Sequence, residues 1–228
     1  MRVRESALCY WWLVHKDLVR EVRAPHFLPR AVFLGLVLVV MLAIQFDLPT
    51  EQQSRIMGGM LWISILFAGT LVIERPFTSE QDNGCWDALK LYPLPPSVLF
   101  LAKMTVNLTT LVVLESVLIL VFMVLTDVPL LAKPGAMLLT VLLTSIGFAA
   151  VGTLVGALSA GLRNGGGLLS LVLLPLVAPL LLSSAAATRI LFSNADDALW
   201  WWWLQLLAVF ALVFTIVGAL AFEFILEE

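Results

Sequence analysis

Polar and apolar positions in this 228-residue chain are sorted into long blocks, not into the short alternations of a soluble domain. The first block is amphipathic. Over residues 4–23, Leu8, Trp11, Trp12, His15, Leu18, Val19 and Val22 fall on one side of a helix, and Glu5, Lys16, Asp17, Arg20, Glu21 and Arg23 fall largely on another. Tryptophan on the apolar side and cations on the polar side describe a helix lying in a membrane–water interface. Pro25 and Pro29 then turn the chain into six apolar runs, near 29–46, 56–73, 104–126, 135–158, 168–187 and 198–222. A helix needs about 20 apolar residues to cross roughly 30 Å of hydrocarbon, so the first two runs borrow flanking residues. The pattern predicts an all-α integral membrane protein: one transmembrane domain over 1–228, six transmembrane helices, and residues 1–28 as an interfacial elbow helix.

Composition agrees with this pattern. The chain is 61% hydrophobic and 13% charged, with mean hydropathy +1.01, where a soluble domain is about one-quarter charged. A net charge of −3 argues against nucleic acid as a partner. Six basic residues precede the first long apolar run, a segment too long and polar for the leading region of a signal peptide. Lys and Arg set the orientation. Arg2, Arg4, Lys16, Arg20, Arg23, Arg30, Arg75, Lys90, Lys103 and Arg163 make ten on one side, against Arg55, Lys133 and Arg189 on the other. The positive-inside tendency therefore puts both termini in the cytoplasm. Cys9 and Cys85 fall on that side, where thiols stay reduced.

The longest internal polar stretch, residues 74–103, is built for more than linkage. Asp82-Asn83-Gly84 is turn chemistry, because Gly84 can take φ > 0 and its neighbours can bond nearby backbone. Trp86, Leu89 and Leu91 recur at near-helical spacing until Pro93, and Pro93-Leu94-Pro95-Pro96 makes a stiff exit into the next apolar run. A short amphipathic helix held between a glycine turn and a proline stop, at a membrane surface, suits docking to a soluble partner.

The residues Glu74-Arg75-x-Phe77, Asp82-x-Gly84, Leu89, Pro93-Leu94-Pro95 and Lys103 resemble the cytoplasmic loop of the cytochrome c maturation protein B family. Gly161-Leu162-Arg163-Asn164-Gly165-Gly166-Gly167-Leu168, followed by Leu174-Pro175 and Pro179, resembles a second segment of that family. Pro76 and Cys85-Trp86-Asp87 depart from its pattern. The resemblance implies the permease subunit of an ABC exporter of the type-2 class, working in cytochrome c biogenesis in a bacterial inner membrane. It implies a homodimeric core, a partner ABC ATPase carrying the ATP, and a haem-handling and a small membrane subunit. Haem is the implied cargo, either crossing directly or leaving on a released chaperone. Coupling to the ATPase would fall to Glu74, Arg75, Asp82, Gly84, Trp86 and Leu89, with Arg163 as a secondary contact. The topology also suits a permease for lipid, polysaccharide or drug, or a membrane assembly factor that transports nothing.

Other candidate chemistry is sparse. No Gly-x-x-x-x-Gly-Lys-Ser/Thr occurs, so this chain lacks the loop that cradles nucleotide phosphates, and the Gly165–Gly167 run lacks its lysine and hydroxyl. Gly152, Gly156 and Ala160 recur four apart and allow close helix approach, within the bundle or between subunits. Pro175 and Pro179 each remove a backbone hydrogen bond inside the fifth run, which suits a kink beside a translocation path. Glu115 is the one acid deep in an apolar run, where a charge costs roughly 2.5–3.5 kcal/mol. It should face protein or water, with Thr110, Thr140 or Thr144 as partners, either as a structural hydrogen bond or on the translocation path. His15 and His26 have no Cys or His at ligand spacing and read as interfacial, so no metal or cofactor is expected on this chain. Trp200–Trp203 open the last run where an aromatic belt belongs.

Overall fold

A computed structural model describes residues 3–23, 27–45, 50–82, 95–126, 133–161, 168–193 and 197–227. These form seven helices: α1 (Val3–Arg23), α2 (Phe27–Gln45), α3 (Thr50–Asp82), α4 (Pro96–Thr126), α5 (Pro134–Gly161), α6 (Leu168–Ser193) and α7 (Asp197–Glu227). Five of them, α3 to α7, contain segments of 22 to 31 residues apolar enough to cross a membrane. A sixth apolar unit is the bent pair of α1 and the 19-residue α2, which meet at 69°.

Two helices form the centre. In the most apolar windows of α3 and α5, 72% of residues are buried, against 22% in α7. α5 touches α3, α4, α6 and α7, while α2 closes over α3 and α4. Close approach at the α3–α5 seam depends on the small residues of α5. A Cβ on Gly152 would lie 2.4 Å from Ile73 Cδ1, and one on Gly156 would lie 2.4 Å from Phe77 Cδ2. The helical stripe of small residues is therefore a receptacle for α3, and of the two readings open in the sequence the packing is intramolecular. Gly69 of α3 returns the arrangement, since a Cβ there would meet Phe148 Cε1 at 2.6 Å.

Two helix ends differ from the hydrophobic pattern. The polar stretch begins at Glu74, yet α3 continues to Asp82. Pro76 removes one backbone hydrogen bond, but its neighbours anchor the turn: Phe77 is 2% exposed against Gly156, and Arg75 pairs with Glu21. At the other end, α4 begins at Pro96, well before the apolar run at 104. Pro96 suits the first helical position because it has no N–H to leave unsatisfied. The Pro95 carbonyl accepts from the amides of Val98 (3.0 Å) and Leu99 (3.3 Å). At about 1.5 Å per residue, the 33 residues of α3 and 31 of α4 reach well past the hydrocarbon.

Buried polar side chains join the helices at several depths. Asn107 Nδ2 donates to Thr153 Oγ1 (2.9 Å) between α4 and α5, and Trp62 Nε1 donates to Thr188 Oγ1 (2.9 Å) between α3 and α6. Trp200 Nε1 donates to Thr140 Oγ1 (3.3 Å) between α7 and α5. The tryptophan run is thereby divided: Trp200 is buried at 7% exposure, while Trp201 and Trp202 are exposed at 54% and 58%, as an aromatic belt requires.

The α3–α5 seam can be tested directly. Gly156→Val forces a branched side chain into the Phe77 ring, and overpacking of this kind costs about 1–3 kcal/mol. Unfolding of the purified chain in detergent should shift accordingly. Adding Phe77→Ala should recover part of the loss, and strictly additive effects would show that the two residues do not meet.

Candidate functional site

The ends of α3 and α4 frame residues 83–94, so the elements around Asp82 and Pro96 hold the roots of the central polar segment. Gly84, Trp86, Leu89 and Arg163 lie outside the described residues. Glu74 is half-buried near the end of α3, and Asp82 is its last residue.

α1 is fastened to both roots. Val14 packs with Ala102 and Val106 in a small core of its own, joined by Tyr10, Leu13 and Leu18. Tyr10 Oη and Thr105 Oγ1 lie 2.8 Å apart in a hydrogen bond. The residues that follow Val14 on that helical face are Asp17, Leu18 and Glu21, at spacings of three, four and seven. Asp17 Oδ2 lies 3.0 Å from Lys103 Nζ, with side-chain exposures of 7% and 3%. Lys16 Nζ approaches Asp17 Oδ1 at 3.2 Å from the solvent side. One turn further, Arg75 of α3 donates to Glu21 Oε1. Burial pushes the Glu21 carboxyl above its ordinary range, opposed by the charge and hydrogen bond of Arg75. Asp17, Arg20, Glu21, Arg75, Pro76, Lys103 and Val106 line a cleft of about 30 Å³, large enough to admit water.

The chemistry of this cluster is mechanical. Burying Lys103 without a counter-charge would cost several kcal/mol, and Asp17 makes its burial tolerable. One helix thus grips the helices entering and leaving the central segment, through Glu21–Arg75 and Asp17–Lys103. Sequence reasoning placed Asp17 and Glu21 on a solvated face and missed both pairings. The available signal was a lysine at position 103 adjoining an apolar run, opposite two acids four apart flanking apolar Leu18. On the apolar side, Trp11 and Trp12 are 68% and 72% exposed, which suits contact with lipid. His15 is exposed on α1, and His26 lies outside the described residues. Among the described residues, no three His, Cys, Asp or Glu side chains gather as metal ligands.

Deeper in the bundle, Glu115 is fully buried and bonds to Ser145 of α5. The expected partners are engaged elsewhere. Thr110, Thr140 and Thr144 each donate to a carbonyl of their own helix, at 3.0, 2.9 and 2.8 Å. The discrepancy at position 144 is a single residue, about 100° of helix rotation. Pro175 and Pro179 lie exposed on α6.

The comparisons with known proteins run along the whole of this frame. A family model described as CcmB protein matches residues 8–227, from α1 to the last turn of α7. The chain belongs to the CcmB protein family. Among its relatives, heme exporter protein B of Pseudomonas aeruginosa is 30% identical over 171 residues, covering 72% of this chain and 74% of the relative. The proteins of the same name from Rhodobacter capsulatus and Escherichia coli K12 are 29% and 28% identical, over 169 and 189 residues. These alignments cover 73% and 76% of this chain, and 76% and 78% of those relatives. Membership in the CcmB family makes the chain a multi-pass membrane protein, in agreement with its helices.

The buried pair predicts strong non-additivity. Asp17→Asn or Lys103→Met alone breaks the buried pair, a loss of about 3–5 kcal/mol. The double variant should recover a large part of it in detergent unfolding. Independent losses from the two changes would show that Asp17 and Lys103 do not stabilise each other.

Proposed function

We propose that this chain is the permease subunit of an ABC-type haem exporter serving cytochrome c biogenesis in a bacterial inner membrane. The observation that carries the reading is the family match over residues 8–227, with relatives named heme exporter protein B. ATP is hydrolysed by a separate ATPase subunit, a division consistent with the lack of a phosphate-cradling loop in this sequence. Two copies of the chain form the core, joined by a haem-handling and a small membrane subunit. The excess of Lys and Arg on one side supports cytoplasmic termini and a cytoplasmic central segment.

In this reading the central segment is the power input. Trp86 and Leu89 fill a groove on the ATPase, and Glu74, Arg75, Asp82 and Gly84 hold the segment in place, with Arg163 as a second contact. Closure of the ATPase pair pushes on residues 83–94. Because α3 and α4 continue unbroken from those roots through the bilayer, and α1 ties the roots together, the push is delivered to the spans as a rigid displacement. Haem, or a haem-loaded chaperone, is the output.

Copurification tests the coupling segment apart from folding. Trp86→Ala should reduce the copurifying ATPase by roughly 30-fold in affinity, the usual effect of truncating an aromatic anchor worth about 2 kcal/mol. Gly84→Val should act alike by denying the turn. Both variants should insert normally. Unchanged ATPase binding and full cytochrome c maturation in both would overturn the assignment. For orientation, a cysteine at position 133 should be labelled only from outside.

A further inference from the structure

Glu115 is an ionisable group that the coupling scheme leaves unused, and the hydrogen bonds around it decide its protonation. Ser145 Oγ has two neighbours: the Val141 carbonyl oxygen at 2.8 Å and Glu115 Oε2. A hydroxyl has one proton, and a carbonyl oxygen can only accept. If the Ser145 proton goes to Val141, the contact with Glu115 needs a proton on the carboxyl. If it goes to Glu115, two bare acceptors face each other at 2.8 Å. Only the neutral acid supplies one proton to each contact.

The surroundings favour the same state. Glu115 is 0% exposed, and its Oε1 has no hydrogen-bond partner among the described residues. As half of a carboxylate, that oxygen would bury charge with no donor; as the carbonyl oxygen of an acid, it is a neutral acceptor with a far smaller penalty. No counter-charge faces it among the described residues. At this depth the neighbouring stretches 31–44, 56–73, 134–161, 168–188 and 198–222 contain no charged residue, and α4 has no other between 104 and 126. Lys103, twelve residues away along α4, is about 18 Å distant and paired with Asp17.

We infer that Glu115 and Ser145 form a proton-binding site in the middle of the α4–α5 seam, in which the acid donates to Ser145 and Ser145 donates to the Val141 carbonyl. The bound proton joins the two helices. This assignment does not depend on what the bundle transports.

Infrared spectroscopy of the full-length chain with its copurifying subunits in native lipid tests it. The spectrum of the wild type minus that of Glu115→Gln, taken at neutral pH, should contain a carboxylic-acid C=O band and no carboxylate band. Other carboxyls cancel in the difference. Ser145→Ala, which removes the acceptor of the acid proton, should shift that band in frequency. This second comparison serves if Glu115→Gln fails to insert. A carboxylate band in place of the acid band, or a Ser145→Ala difference confined to carboxylate frequencies, overturns the proposal.

Discussion

Everything in this bundle is constrained by the lack of water to satisfy a stranded polar group. In hydrocarbon, an unpaired donor or charge has no fallback, so each must find a partner on another helix or stay in its own backbone. Most hydroxyls here take the second course, as Thr110, Thr126, Thr144 and Thr188 do by donating to carbonyls one turn back. The few groups that reach across become the fasteners between helices: Asn107 to Thr153, Trp62 to Thr188, Trp200 to Thr140, and Glu115 with Ser145. Such bonds specify which helix lies beside which, a task that uniform apolar surfaces do poorly.

At the rim the same constraint is met with charge. Lys103 is buried where α4 meets α1, and it is tolerable there because Asp17 lies 3.0 Å away. Its neutralisation lets α4 continue past a position where the apolar run alone would end. Glu21 does the corresponding service for Arg75 at the end of α3. The first helix therefore holds the two roots of the central segment at a set separation, while Trp11 and Trp12 stay exposed. Anchoring in the interface and gripping the bundle occupy opposite faces of the same helix.

Rigidity between the rim and the membrane interior comes from packing. Gly152 and Gly156 admit Ile73 and Phe77 so closely that a methyl group would collide, which brings the backbones of α3 and α5 together. The turn around Pro76, short of one hydrogen bond, is held between that contact and the Arg75–Glu21 pair. A long helix with a local weakness is thereby made stiff where a displacement of the central segment has to pass.

How far these features were legible in the chain follows from the range of the forces behind them. Blocks of apolar residues, turn chemistry at Asp82–Gly84 and prolines at 93, 95 and 96 are local. The sequence by itself therefore determined the membrane class, the order of the helices, an amphipathic first helix and a polar stretch between the runs at 56–73 and 104–126. Helix ends near charges were not local: whether α3 stops at Glu74 or α4 waits until 104 depended on partners in α1. Glu21 and Arg75 are 54 residues apart, Glu115 and Ser145 are 30, and Trp62 and Thr188 are 126. Periodicity can place such residues on a face, but the rotation of one helix against its neighbour chooses Ser145 over Thr144. Only the tertiary structure made that choice, because a partner in a dry interior is selected by geometry across the fold and leaves no period in the chain.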